Sequence, residues 1–169
     1  SLINIMPALT DELFQLKWPK NYTRKNILNE GDKNYEGFVL GQVWSWAHIK
    51  TEEEPGRCLR PSQHTKNPKN AKVYELAKEI AEFEFTTIQF NKNYQCAKHC
   101  DGNNVGISRI IGLGDYEGGE LLIYYDGPEE APTVIDIKNK FYEFNGSEYW
   151  HSTAPFTGTR FSLVYFSLE

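Results

Sequence analysis

The chain of 169 residues predicts a mainly β fold, a sandwich or jelly roll fronted by helical elements. The first reason is its texture from about residue 83 onward. Short β-branched and aromatic runs, "FEFTTIQFN", "VGISRIIGL", "GELLIYY", "TVIDI", "KFYEFN" and "RFSLVYFSL", alternate with clusters of Gly, Asn, Asp and Pro. The second is turn chemistry: Asn145-Gly146 and Asp126-Gly127 are hairpin signals, and the glycines of "GDYEGG" can supply positive φ. The third is that helical periodicity is concentrated in the front of the chain.

Within that front, "NPKNAKVYELAKEIAEF" begins on Asn-Pro and places Val73, Leu76, Ala77, Ile80 and Phe83 at helical spacing, which predicts a helix with one core-facing side. Upstream, "FVLGQVWSWAHI" (38–49) reads as a strand. The polar stretch 50–68, with three prolines, reads as a long loop of the kind that often carries function. With no repeat or linker, one domain over 1–169 is expected, residues 1–83 supporting a β core over 84–169.

Composition narrows the classes. An apolar fraction of 40% argues for a packed globular core. No apolar run approaches the roughly 20 residues that span a bilayer, and "SLINIMPALTDELF" lacks the pattern of a signal peptide, so a soluble intracellular protein of cytoplasm or nucleus is expected. Cys58, Cys96 and Cys100 fit free thiols in a reducing compartment; Cys96, His99 and Cys100 leave a zinc alternative, without a second ligand pair at finger spacing. The net charge of −5 is uneven: residues 1–72 carry 11 Lys/Arg against 8 Asp/Glu, the remainder 7 against 15. Whole-chain charge therefore opposes nonspecific nucleic-acid binding, while Arg57, Arg60, Lys66, Lys69 and Lys72 form a basic stretch that is either a phosphate-binding rim or a solvated surface.

The chemistry gathers in two places. In "AKHCDGNNVG", His99 and Asp101 stand two apart, and on a strand such side chains share a face. Downstream, "SEYWHSTAPF" offers His151 at the start of a strand, which a jelly roll can bring to the same spot. Two imidazoles and a carboxylate on one side of an octahedral ion leave positions open for a bidentate co-substrate and O₂, as in non-haem Fe(II) sites. Arg160, in "TGTRFSLVYF", shares a strand face with Ser162; a guanidinium beside a hydroxyl matches a carboxylate, and so implies a dicarboxylate co-substrate. The bland alternative is a surface ion pair.

His99-x-Asp101, then His151, then Arg160-x-Ser162 resembles the Fe(II)/2-oxoglutarate-dependent dioxygenases over about residues 84–167, with "IQFNKNYQCAKHCD" similar to their first core strand. The resemblance implies a double-stranded β-helix, a jelly-roll, cupin-like fold. It implies Fe(II) on His99, Asp101 and His151, 2-oxoglutarate held by Arg160 and Ser162, and O₂ as oxidant. Asn91 and Tyr94 become candidates for further contacts with the co-substrate, or are ordinary strand residues. "HCDGNNVGISRIIGLGDYEGGEL" and "FNGSEYWHSTAPFTGTRFSLVYF" look most like the TET/JBP group, which oxidises the 5-methyl group of pyrimidines. That likeness implies a nucleobase substrate, with Trp44, Trp46 and His48 as stacking surfaces and Arg57, Arg60, Lys66 and Lys69 on phosphate. A prolyl- or lysyl-type protein hydroxylase, a small-molecule hydroxylase, and a non-enzymatic cupin-like binding protein are the competing readings. Phe141, Phe144, Tyr149 and Trp150 are expected to form an aromatic interior that keeps water from the site, with simple packing the alternative for Tyr149 and Trp150.

Overall fold

A computed structural model describes residues 2–21, 35–45, 57–102 and 105–169. Its strands are β1 (Lys20–Asn21), β2 (Tyr35–Ser45), β3 (Cys58–Pro61), β4 (Thr87–Lys92), β5 (Val105–Gly118), β6 (Leu121–Tyr124), β7 (Thr133–Ile135), β8 (Tyr142–Phe144), β9 (Trp150–Thr153) and β10 (Phe156–Ser167). The large sheet runs β1-β2-β4-β10-β5-β8, with β3 also paired to β2; the small sheet runs β7-β6-β9. Every strand pairing is antiparallel. The two sheets face each other as a jelly roll, the architecture the sequence predicts.

Alternation along β10 divides the molecule. Phe161, Leu163 and Tyr165 point to one face and join Ile88 and Phe90 of β4, Ile111 and Leu113 of β5, and Phe38 and Leu40 of β2 in the main core. Two helices close this core, α1 (Leu2–Gln15) through Leu9 and Leu13, and α3 (Ala71–Glu79) through Val73, Leu76 and Ala77. Burying each of these large apolar side chains contributes about 1.5–3 kcal/mol. The Tyr165 hydroxyl donates to Ala77 O at 2.6 Å, tying α3 to the sheet, and Trp18 stacks on Phe161 at 5.6 Å while its indole donates to Leu13 O. Arg160, Ser162, Val164 and Phe166 point the other way, into the space between the sheets. With both faces of the sheet covered, "FSLVYF" reads as a continuous apolar run.

The helix expected from "NPKNAKVYELAKEIAEF" forms with its predicted side inward. A 3₁₀ turn over Pro68–Asn70, capped by Asn67 Oδ1 on Lys69 N at 3.0 Å, leads into it. The polar stretch before it is less irregular than expected: Cys58–Pro61 pair with β2, and α2 (Gln63–Lys66) is pinned to β2 by Ser62 and Thr65. Trp46 and His48 lie outside the described residues. Two hairpin expectations resolve differently. Asn145-Gly146 makes a turn that crosses from β8 in the large sheet to β9 in the small one, with Asn145 Oδ1 accepting from Ser147 N and Glu148 N. Asp126-Gly127 does lie between paired strands, β6 and β7, but in a loop longer than two residues. Among the described residues no helix is long and apolar enough to cross a membrane.

Candidate metal centre

The stretch from Asn93 to Gly102 follows β4 but is no regular strand; backbone bonds hold it at chosen points. His99 and His151 exchange both backbone bonds, N to O at 3.0 and 2.9 Å, and Asp101 N donates to Gly146 O at 2.8 Å. Thr153 N donates to Cys96 O, so residues 96–99 extend the small sheet beyond β9. The side chains expected to share a strand face therefore converge because two ladder bonds and one turn place them.

Asp101 sits between the imidazoles: its Oδ1 is 3.2 Å from His99 Nε2 and its Oδ2 is 3.6 Å from His151 Nε2. One ligand atom from each residue lies within 4.8 Å of the others, a span that one ion closes with small side-chain rotations. Each ring is oriented from behind. His151 Nδ1 faces Tyr149 O at 3.0 Å and His99 Nδ1 faces Ala97 O at 2.8 Å, and a carbonyl can only accept, so Nδ1 carries a hydrogen in each ring and Nε2 is the nitrogen that faces the centre. This donor set fits a divalent first-row transition ion. Cys100 does not join it; Cys96 Sγ stands behind His99, 3.0 Å from Nδ1, as a hydrogen-bond partner and not in a cysteine zinc site. Gly146 makes the arrangement possible, because a Cβ there would run into Asp101 Oδ2 and crowd His151 Cε1 at 3.2 Å.

Electrostatics of the ion-free site follow. Burial opposes protonation of His99, but Asp101 and Cys96 outweigh it, and the imidazole is pushed up to about 10 from an ordinary 6.5. A value raised on folding means that the His99–Asp101 contact stabilises fully below about pH 6.5 and fades as pH rises through about 10. A metal must displace that proton. Divalent-ion affinity is thus expected to rise with pH across this range while the ion-free protein becomes less stable. Calorimetric titration in buffers of different ionisation enthalpy should count about one proton released per ion near neutrality.

The centre opens on a cavity of about 240 Å³ between the sheets. At its other end lies Arg160, 2% exposed. Its Nε and Nη2 donate to Gly119 O at 3.2 and 3.0 Å, and Nη1 reaches Tyr94 O at 3.5 Å, leaving part of the fork unused. Among the described residues no carboxylate lies within ion-pair distance of it. Burial pulls the guanidinium below its ordinary value, yet a guanidinium stays charged in proteins. Tyr116, Cys96 and Glu120 ease the burial of this cation without pairing with it, and an anion arriving at the fork would stabilise it directly. Beside it, Ser162 Oγ accepts from Asn91 Nδ2 at 3.2 Å, which leaves its own hydrogen to donate. Tyr94 lines the same cavity, stacked on Tyr35 at 4.1 Å.

No protein-family model and no curated protein matches the chain. Solved structures match its fold. An oxidoreductase of the 2OG-Fe(II) oxygenase family from Burkholderia pseudomallei aligns with a TM-score of 0.53 at 16% identity, over 97% of this chain and 77% of that one. NgTET1 in complex with 5mC DNA gives 0.52 at 14% identity, over 96% and 68%. A Pseudomonas putida prolyl-4-hydroxylase gives 0.50 at 15% identity, over 98% and 85%. The chain has the 2OG-Fe(II) oxygenase fold.

Within this oxygenase fold, sequence reasoning missed several neighbours of the site. Gly118 and Gly119 adopt the positive φ expected of "GDYEGG", 79° and 68°, but at a corner that turns the chain from β5 in the large sheet to β6 in the small one. Gly119 also seats Arg160, since a Cβ would come 2.7 Å from its Nε. The Tyr116 hydroxyl is buried over Gly112, which pairs with Ser162, and it faces the Arg160 guanidinium, so a second polar group stands at that end of the cavity. Of the four aromatics expected around the site, only Phe144 lines the cavity, 5.1 Å from the His151 ring. Phe141 packs on Phe83 and Tyr165 against the outer core, Tyr149 contributes its carbonyl, and Trp150 is 41% exposed, because it alternates with the inward His151. Arg57, Arg60, Lys66 and Lys69 are all exposed around β3 and α2, and Arg57 lies 4.1 Å over the ring of Trp44.

Proposed function

We propose that this protein is an Fe(II)- and 2-oxoglutarate-dependent dioxygenase that hydroxylates a C–H bond, with succinate and CO₂ as co-products, and that its substrate is a 5-methylpyrimidine base in nucleic acid. The observation that carries the chemistry is one cavity holding two convergent imidazoles and a carboxylate at one end and an unpaired buried guanidinium at the other. His99, Asp101 and His151 would hold Fe(II), which when bound supplies the activation of O₂ at the expense of the co-substrate. Arg160, Ser162 and Tyr116 bind the far carboxylate, and Asn91 and Tyr94 wall its path. The apolar lining of Ile110, Leu121, Phe144 and Val164 limits water around the reacting carbon.

Support for a nucleobase comes from a basic patch on the surface. Arg57, Arg60, Lys66 and Lys69 gather where β2, β3 and α2 meet, beside Thr87 at the start of β4, the end of that strand away from Arg160. Similarity to a TET structure holding 5mC DNA points the same way. Prolyl or lysyl hydroxylation of a protein is the second reading, favoured by the net charge of −5 and by the likeness to a prolyl-4-hydroxylase. The deciding experiment is succinate release with Fe(II), 2-oxoglutarate and O₂ against panels of oligonucleotides, peptides and metabolites. Substituting the four basic residues is expected to lower the salt sensitivity of oligonucleotide binding by about one unit of log–log slope for each phosphate that is no longer neutralised, with uncoupled 2-oxoglutarate decarboxylation unchanged. Turnover of a peptide with negligible, salt-insensitive oligonucleotide binding would assign the second reading.

A further inference from the structure

Gln89 is 5% exposed, lies on β4 and lines the cavity. Its Nε2 is surrounded by acceptors: Phe90 O and Asn91 Oδ1 at 3.2 Å and Phe38 O at 3.5 Å. Turning the amide over would set oxygen against oxygens, so its orientation is locked. Oε1 is thereby turned from this cluster, has no partner among the described residues, and offers the cavity a lone pair and no hydrogen.

The polar ladder has a direction. Gln89 donates to Asn91, Asn91 donates to Ser162, and Ser162 keeps its hydrogen for whatever lies beyond. A donor is therefore presented at the Arg160 end and an acceptor at the other. Position follows from register: Ser162 pairs with Asn91 and Val164 with Gln89, so Gln89 stands one inward step, about 7 Å along the strand, farther from Arg160 than Asn91. Val164 pairs in turn with Ile110, and Ser108, a further step away from Arg160, pairs with Phe144, whose ring lies 5.1 Å from that of His151. Gln89 thus belongs to the end of the cavity that holds the metal ligands, away from the guanidinium.

We propose that Gln89 is a specificity-determining residue that demands a hydrogen-bond donor next to the reacting carbon. The inference rests on the nucleobase reading above and sharpens it. In 5-methylcytosine the group beside the methyl is an amine, which can donate to Oε1. In thymine it is a keto oxygen, which meets Oε1 lone pair to lone pair. A buried acceptor left facing another acceptor is penalised, as sites built for one polar partner reject the analogue that lacks it.

The test compares oligonucleotides that differ only in 5-methylcytosine or thymine at one position, with wild type and Gln89→Met. Oxidised base is measured by mass spectrometry, and 2-oxoglutarate affinity separately by anaerobic absorbance titration with Fe(II). Wild type is expected to favour 5-methylcytosine in kcat/KM by about tenfold or more. Gln89→Met should bring the ratio near unity, with 2-oxoglutarate affinity within about twofold of wild type. Equal use of both bases by wild type, a preference for thymine, or a ratio that survives Gln89→Met overturns the proposal while leaving the nucleobase reading intact. A tenfold loss of 2-oxoglutarate affinity also overturns it, by making Gln89 a co-substrate contact. Oxidation of neither base, alongside succinate release with a peptide or metabolite, removes both. If Gln89→Met does not fold, the wild-type ratio decides.

Discussion

Alanine at His99, Asp101 or His151 is expected to abolish succinate release, a loss larger than any other single change should cause. Each removes one of the three candidate ligands that converge among the described residues, and the remaining two cannot hold an ion in a fixed orientation. Asp101→Ala has a further effect, because the carboxylate sits between both imidazoles and its removal leaves them facing each other at a centroid separation of 4.3 Å. The fold should survive in each case, since the His99–His151 bonds are made by backbone and the main core lies on the far side of the large sheet. Metal content by mass spectrometry and far-UV circular dichroism check the two halves. Gly146→Ala is expected to lose metal almost as completely without touching a ligand, because the added methyl claims the space of the Asp101 carboxylate. Full metal occupancy in Asp101→Ala would remove the triad from the mechanism.

Arg160→Met should leave metal binding intact and weaken 2-oxoglutarate binding about a hundredfold. Charged hydrogen bonds to the far carboxylate are worth about 1.5–3 kcal/mol each, and a hundredfold corresponds to about 2.8 kcal/mol. Stability should move differently. The guanidinium is buried with no carboxylate at ion-pair distance among the described residues, so an unbranched apolar side chain of similar reach removes a desolvation cost, while giving up two bonds to Gly119 O and a longer one to Tyr94 O. The ligand-free variant is expected to melt at or above the wild-type temperature, and 2-oxoglutarate is expected to raise the Tm of wild type but not of the variant. Ser162→Ala should do less. Undiminished 2-oxoglutarate affinity in Arg160→Met would mean that another residue holds the acid.

The legible parts of the sequence were those governed by period and spacing. Alternation in "RFSLVYF" places Arg160 and Ser162 on the cavity side of β10, and helical spacing from Val73 to Ile80 chooses the buried side of α3. His99, Asp101 and His151 could be named because metal-binding side chains are chemically conspicuous. Illegible were the features fixed by residues distant in sequence. Nothing local in Asn145-Gly146 distinguishes a hairpin from a turn that joins two sheets, since both need the same tight backbone. Gly146 and Gly119 matter through what an absent side chain does not strike, and Gln89 through a lock made by carbonyls on two strands. Phe141 and Trp150 misled because aromaticity shows that a residue is large, whereas the strand register decides which way it points.

The paired backbone bonds between His99 and His151 fasten an otherwise irregular stretch to β9, and everything from β5 to β8 lies in the chain between them. An ion on the same two residues would act there as a removable cross-link, closing a long loop that the unfolded chain must otherwise close by chance. Such a clasp ties durability to supply. Protein that lacks the ion is expected to part first along this seam, exposing the edge of the small sheet to proteases before the helix-backed core yields.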